Sequence, residues 1–326
     1  MAIDPTDLTR AAALLDRLRQ EISKAVVGQR DALDQTLVAL VASGHVLVEG
    51  VPGLGKTLLA RALARALALE YGRIQFTPDL MPSDITGHTV LDPTAGPGAL
   101  RVRRGPVFTH LLLADEINRA PAKTQSALLE VMQEYQVTIE GQTVPLPKPF
   151  MVIATQNPID TEGTYPLPEA QLDRFLFKIE IGYPTQAEEV DVIKRTTDQS
   201  IGDQFPLDGV TPTLDPRSVL ALQQMAAHVR VDERVAEYAV RLTRATRGWP
   251  GLSAGAGSRG AIALVRAARA AALLQARDFV TPDDVKRQAL PALRHRVMLS
   301  ADAQIEGRPL NELLAAMLET VDAPRL

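Results

Sequence analysis

An α/β fold, a five-stranded parallel sheet between helices, with a smaller all-helical C-terminal domain, is what this sequence predicts. Three observations carry the prediction. Short apolar runs, among them Val46–Val48, Leu111–Ala114 and Met151–Ala154, are separated by helical stretches, as strands buried on both faces require. The first run leads directly into Gly50-Val51-Pro52-Gly53-Leu54-Gly55-Lys56-Thr57, a Gly-rich turn opening a helix. From about residue 184 the apolar runs give way to capped helices.

Taken in order, an opening helix runs from Leu8 to Val26 and a second covers Asp31–Ala42. Strand Val46–Val48 and the loop precede a helix over Lys56–Leu69, with Leu59, Leu63 and Leu67 on one face and Arg61 and Arg65 on another. Ile74–Phe76 is a short strand. Leu111–Ala114 ends in Asp115-Glu116, and Met151–Ala154 ends in Thr155-Gln156-Asn157, where Pro158 stops it. Phe175–Ile181 is the fifth strand. Thr89–Arg103 and Gln136–Leu146 break the alternation as inserted hairpins, the second turning at Gly141. Beyond residue 184, Thr185 and Glu188 fit a capping box. Asp215-Pro216 and Thr281-Pro282-Asp283-Asp284 open helices with Pro at the first helical position. Arg230–Arg247 and Gly260–Ala276 are helical, and no strand candidate stands out. A linker near Ile201–Pro216 divides the chain into residues 1–205 and 206–326.

Composition narrows the function. At 326 residues the chain suits about two domains with a substantial core. Only 4% of residues are aromatic while alanine abounds, so the core is aliphatic and helix-rich. A net charge of −4 advertises no sequence-independent hold on nucleic acid. With no cysteine, disulfides and thiolate metal sites are excluded. Met1–Gln20 lacks the apolar core of a signal peptide, and no apolar stretch reaches the length of a membrane span, so a cytoplasmic enzyme is expected.

The Gly-rich loop has the glycines, Lys and Thr that a phosphate cradle needs. Glycines let consecutive N–H groups turn inward toward phosphate oxygens, and the helix adds its positive end. Residues Gly50 to Leu58 are therefore expected to bind a nucleoside triphosphate, with Lys56 reaching the β- and γ-phosphates and Thr57 holding Mg²⁺. Asp115 would orient the metal opposite Thr57. Glu116, one residue on, would polarise the attacking water. Asn157 could hold that water against the γ-phosphate. Gly255-Ala256-Gly257-Ser258-Arg259-Gly260 spells a dinucleotide fingerprint, but Trp249-Pro250-Gly251 before it is no strand, so the context fails.

Together these stretches resemble the AAA+ ATPases, and most closely the MoxR family. The resemblance rests on Val26–Gln29, the loop, Gln75–Gly87, Asp115–Pro121, Lys123–Glu134, Ala154–Pro158 and Pro168–Phe175, and spans roughly residues 20 to 300. It implies a homo-hexameric ring with ATP at subunit interfaces. Arg174 matches the family's arginine finger, donated to a neighbour's γ-phosphate. Arg259 looks like the second sensor, reaching the γ-phosphate from the lid, although the Ala and Pro usual around Ser258 are missing here. Val27, Gly28 and Gln29 would sit near the adenine; read alone, Gly28 is equally a helix-to-helix turn. The hairpins correspond to the family's insertion in its second helix and to the hairpin before its first sensor. Arg101, Arg103 and Arg104 read better as a solvated hairpin edge than as a binding surface.

Three roles follow for such an ATPase. The first is a chaperone-like remodeller or maturation factor for a protein client, one with a von Willebrand factor A domain, as the resemblance implies. The second is a DNA motor akin to the minichromosome-maintenance helicases, against which stand the acidic balance and few aromatics. The third is a nucleotide-gated scaffold, against which stands Glu116.

Overall fold

A computed structural model describes residues 3–91, 94, 100–158, 163–197 and 207–325. Helices α1 (Pro5–Ser23) and α2 (Arg30–Val41) precede β1 (Val46–Glu49), the loop and α3 (Lys56–Ala66). Next come β2 (Tyr71–Gln75), the short α4 (Pro82–Thr86), a hairpin of β3 (Gly87–Leu91) and β4 (Leu100–Arg104), and β5 (Leu111–Asp115). Helix α5 (Ala122–Glu134), a second hairpin of β6 (Gln136–Ile139) and β7 (Gln142–Pro145), β8 (Met151–Gln156), α6 (Glu169–Leu172) and β9 (Phe177–Glu180) complete this part.

Five strands form one parallel sheet in the order β2-β5-β8-β1-β9. Side chains alternate across a strand, so a run apolar at every position must be covered on both faces. That is observed. Val46, Val48, Leu111, Leu113 and Ile153 join the core beneath α1, α2 and α3, whereas Leu47, Leu112, Ala114, Val152 and Ala154 join the core beneath α5. Leu59 and Leu63 of α3 and Leu67 at its C-cap are buried, as their shared face requires. Parallel pairing sends the C-terminal ends of β1, β5 and β8 to the same edge, where an open α/β sheet leaves its crevice.

Several boundaries differ from the sequence expectation. Helix α1 stops at Ser23, and Gly28, at φ +71, turns the chain toward α2. The second strand covers Tyr71–Gln75 because it lies at the sheet edge, where only Ile74 of the five residues is buried and the apolar signal is weak. The last strand begins at Phe177. Both inserted hairpins form, although the turn of the first, residues 92–93 and 95–99, lies outside the described residues, as does 198–206, which includes the start of the expected linker.

The C-terminal part contains α7 (Gln186–Thr197), α8 (Pro216–His228), α9 (Glu233–Ala245), α10 (Ser258–Leu274), α11 (Pro282–Leu293), α12 (Ala301–Ile305) and α13 (Leu310–Thr320). Asp215 caps α8 by accepting from the Ser218 N–H at 2.8 Å, and Thr281 with Asp284 makes a reciprocal box on α11. Helix α10 is central. Its buried Ala263, Ala267, Ala268, Ala270, Ala271 and Ala272 let neighbours approach closely, which explains a core with few aromatics. One antiparallel pair, β10 (Leu252–Ala254) with β11 (Met298–Leu299), sits among these helices. Such short strands are too brief for alternation to announce.

Candidate nucleotide site

The Gly-rich loop leaves β1 at Glu49. Gly50 packs so closely on the next strand's exit that a Cβ there would lie 2.8 Å from the Ile181 carbonyl oxygen. Gly53 and Gly55 take left-handed φ values of +85 and +79, with open space where a Cβ would stand. Gly55 caps α3, whose first-turn N–H groups have no helical acceptor and so face the loop's hollow. The Lys56 ammonium donates to the Gly50 carbonyl and, at 3.2 Å, to that of Val51. An open hollow at the N-terminus of α3 with a Lys folded over it fits a triphosphate.

Two strands away, Asp115 ends β5 with its side chain 11% exposed. Thr155 Oγ1, on β8, donates to Asp115 Oδ1 at 2.6 Å and accepts from the Glu116 N–H at 2.8 Å. One hydroxyl thus sets both acids. From β2, Arg73 Nη2 donates to Asp115 Oδ2 at 2.7 Å, and Gln75 Nε2 to Glu116 Oε2 at 2.8 Å. Arg119 Nε lies 3.0 Å from Glu116 Oε2. Glu116 itself has φ +56, a left-handed conformation uncommon for a non-glycine residue and one that turns the chain sharply after the strand. Asn157, just past β8, is buried. The hard oxygen donors Thr57 and Asp115 suit Mg²⁺.

A cleft of about 980 Å³ joins these parts. Pro52 to Lys56, Thr57, Leu58, Asp115, Glu116 and Asn157 line one end, while Val26, Val27, Gln29, Tyr183, Pro184 and Ile193 line the other, mostly apolar end. Gln29 Nε2 donates to the Gly182 carbonyl at 3.1 Å, and a Cβ on Gly28 would sit 3.0 Å from Pro184 Cβ. That packing pins the Val27-Gly28-Gln29 turn against the chain leaving β9. A second cleft, about 860 Å³, opens on the other side of this turn. Its Arg19 pairs with Asp16 and Asp34, its Arg195 with Asp191, and no phosphate loop borders it.

Arg174 and Arg259 are not among the residues lining the nucleotide cleft. Arg174 follows α6 and donates from Nη1 to the Leu129 carbonyl at 2.9 Å, beside a hollow of about 420 Å³ that Glu130 and Glu134 also border. Arg259 opens α10, 56% exposed, with Nη1 3.6 Å from Asp173 Oδ2. Arg259 thus pairs with the residue that precedes Arg174 in the chain, while the Arg174 side chain itself turns to α5. Sequence reasoning missed Thr155, Arg73, Gln75 and Tyr183. Thr155 and Gln75 stood in recognised stretches with no role to mark them, and the polar alternation of Arg73 and Gln75 on an edge strand was the signal available.

Residues 45–177 match the ATPase family associated with various cellular activities (AAA), and residues 244–316 match the AAA lid domain. The chain is 45% identical over 311 residues to the uncharacterized protein YeaC of Bacillus subtilis, covering 95% of each. It is 43% identical over 328 residues to Chaperone MoxR1 of Mycobacterium tuberculosis, covering 96% of this chain and 83% of that one. A crystal structure from Cytophaga hutchinsonii, 39% identical, superposes with a TM-score of 0.88 and covers 98% of this chain and 97% of that one.

Proposed function

This chain belongs to the MoxR family of AAA ATPases, and from that premise we propose that it is a Mg²⁺-dependent, ring-forming remodeller or maturation factor for a client protein. ATP hydrolysis itself follows from the family. The observation that carries the reading of the site is the convergence of the loop, Asp115, Glu116 and Asn157 on one cleft. In it, Lys56 and the loop N–H groups would take the phosphate charge, Thr57 and Asp115 would hold the metal, and Glu116 would accept a proton from the attacking water that Asn157 orients. Bound Mg²⁺ would add neutralisation of the phosphate charge. The apolar end, with Val27, Gly28 and Gln29, takes the base.

Arg174 and Arg259 act from a neighbouring subunit in this reading. Their absence from the cleft of their own chain supports it, and a homo-hexamer would bring them to the next site. The division at 205/206 would separate ATPase core from lid. A relative named Chaperone MoxR1 supports a protein client, with a von Willebrand factor A domain as the expected partner class. Among the described residues no helix is long and apolar enough to cross a membrane, and a cytoplasmic setting is proposed.

The exposed hairpin arginines Arg101, Arg103 and Arg104 favour one second reading, a DNA-acting motor. Both are tested with Glu116→Gln, which should bind ATP with normal affinity, lose turnover, and retain client protein in an ATP-dependent manner. Lys56→Ala should lose binding. Full ATPase activity in Lys56→Ala refutes the site. Stimulation of the wild-type enzyme by single-stranded DNA but by no captured protein favours the motor, and a wild-type enzyme without turnover under either condition favours a scaffold.

A further inference from the structure

Helix α11 is followed directly by three basic residues, Arg294-His295-Arg296, whose side chains all turn toward the ATPase core. The Arg296 side chain is only 4% exposed. Its Nε donates to Asp173 Oδ1 at 2.7 Å, and its Nη2 to the carbonyls of Asp173 at 3.1 Å and Phe175 at 2.6 Å. Nη1 donates to the Leu176 carbonyl at 3.2 Å and to that of Ala292. A guanidinium has five N–H donors. All are used, and all but the Ala292 bond fall on residues 173–176, the stretch that carries Arg174.

That stretch needs an outside hold. Helix α6, from which Arg174 hangs, is four residues long with none buried. His295 adds a second grip, its Nε2 donating to the Phe175 carbonyl at 3.0 Å. Arg294 reaches Glu180 at 2.6 Å on β9. Glu180 is in register with Glu49, the residue that starts the phosphate loop. One tripeptide of the helical part therefore touches both the turn bearing Arg174 and the strand flanking the loop. A buried cation is costly unless its hydrogen bonds are met, and only a planar fork satisfies so many acceptors at once.

We propose that Arg296 is a positioning residue that sets Arg174 for a neighbouring subunit's nucleotide, so that the helical part of one subunit governs hydrolysis in the next. The inference rests on the reading of Arg174 as a residue delivered across an interface. Arg296→Lys keeps the charge and loses the fork. It should bind a fluorescent ATP analogue like the wild type and turn over ATP about tenfold to a hundredfold more slowly, the scale of a displacement near 1 Å. Mixed with Lys56→Ala subunits it should regain part of its activity, because the Lys56→Ala chain supplies an intact Arg174 to an intact loop. Mixed with Arg174→Ala it should regain none, since both lesions lie on the donated side. Asp173→Asn, which keeps the shape and loses the ion pair, should fall in the same group.

Wild-type turnover in Arg296→Lys overturns the proposal. So does failure of Lys56→Ala to rescue it in rings that light scattering shows to be mixed, where Arg174→Ala is rescued; Arg296 then serves its own subunit. If Arg174→Ala is itself not rescued, the cross-interface reading fails and this inference falls with it. Failure of both Arg296→Lys and Asp173→Asn to fold makes the contact a folding element and also overturns it.

Discussion

Replacing Thr155 by Val should cost both stability and turnover, although Thr155 touches no part of the proposed phosphate path. The side chain is fully buried, and its hydroxyl makes two bonds, one to the Asp115 carboxylate at 2.6 Å and one from the Glu116 N–H at 2.8 Å. Valine has nearly the same shape, so little cavity follows and the loss is polar. A hydrogen bond to a charged group contributes about 1.5–3 kcal/mol, and an orphaned buried N–H costs about 1–3 kcal/mol. Arg73 still holds the other oxygen of Asp115, which keeps the sum near the low end. The expected loss is about 3 kcal/mol. For a chain of 326 residues, unfolding entropy near 2.1 cal/mol/K per residue turns this into a melting temperature about 4 °C lower. Turnover should fall by about tenfold or more, because Glu116 loses the bond that fixes its backbone. Calorimetry of the nucleotide-free protein and steady-state ATPase assays read the two effects. Thr155→Ser, which restores a hydroxyl, should recover most of both. If Thr155→Val melts and turns over like the wild type, the hydroxyl does not organise the acids.

Other outcomes follow from separate contacts. His45 is buried, accepting at Nδ1 from the Val152 N–H at 3.0 Å and donating from Nε2 to the Met132 carbonyl at 3.1 Å, and burial holds its pKa down to about 4. Because the folded value lies below the unfolded 6.5, the neutral form's stability is complete above pH 6.5 and is lost as pH falls toward 4. The full loss is roughly 3 kcal/mol. His45→Gln should flatten that limb in urea titrations at pH 7.5 and 4.5, and an unchanged slope refutes the assignment. Arg73, half-exposed, occupies Asp115 Oδ2 where a divalent cation would compete. Arg73→Gln should therefore lower the Mg²⁺ concentration for half-maximal ATPase by about twofold to fivefold, the worth of a partly exposed ion pair. A raised requirement would show that Arg73 supports the metal site.

By itself the sequence determined what depends on near neighbours along the chain. The loop from Gly50 to Thr57 was legible because glycine, Lys and Thr at fixed offsets have one local geometry. So were the acids ending β5, the buried runs of β1, β5 and β8, and the helix starts at Asp215 and Thr281, since periodicity and capping act within a few residues. Tertiary structure alone decided the rest. Thr155, Arg73 and Gln75 meet Asp115 and Glu116 only because β2, β5 and β8 lie side by side in parallel register, and residues about 40 apart in the chain carry no local trace of that pairing. Arg259 reaches Asp173, beside Arg174 in the chain, because α10 packs against α1 and α2 while α11 reaches β9. Arg296 finds four of its five acceptors 120 to 123 residues away, where the end of one helix meets an unsupported turn. A guanidinium's burial and partners are properties of packed surfaces, and no spacing along the chain encodes them.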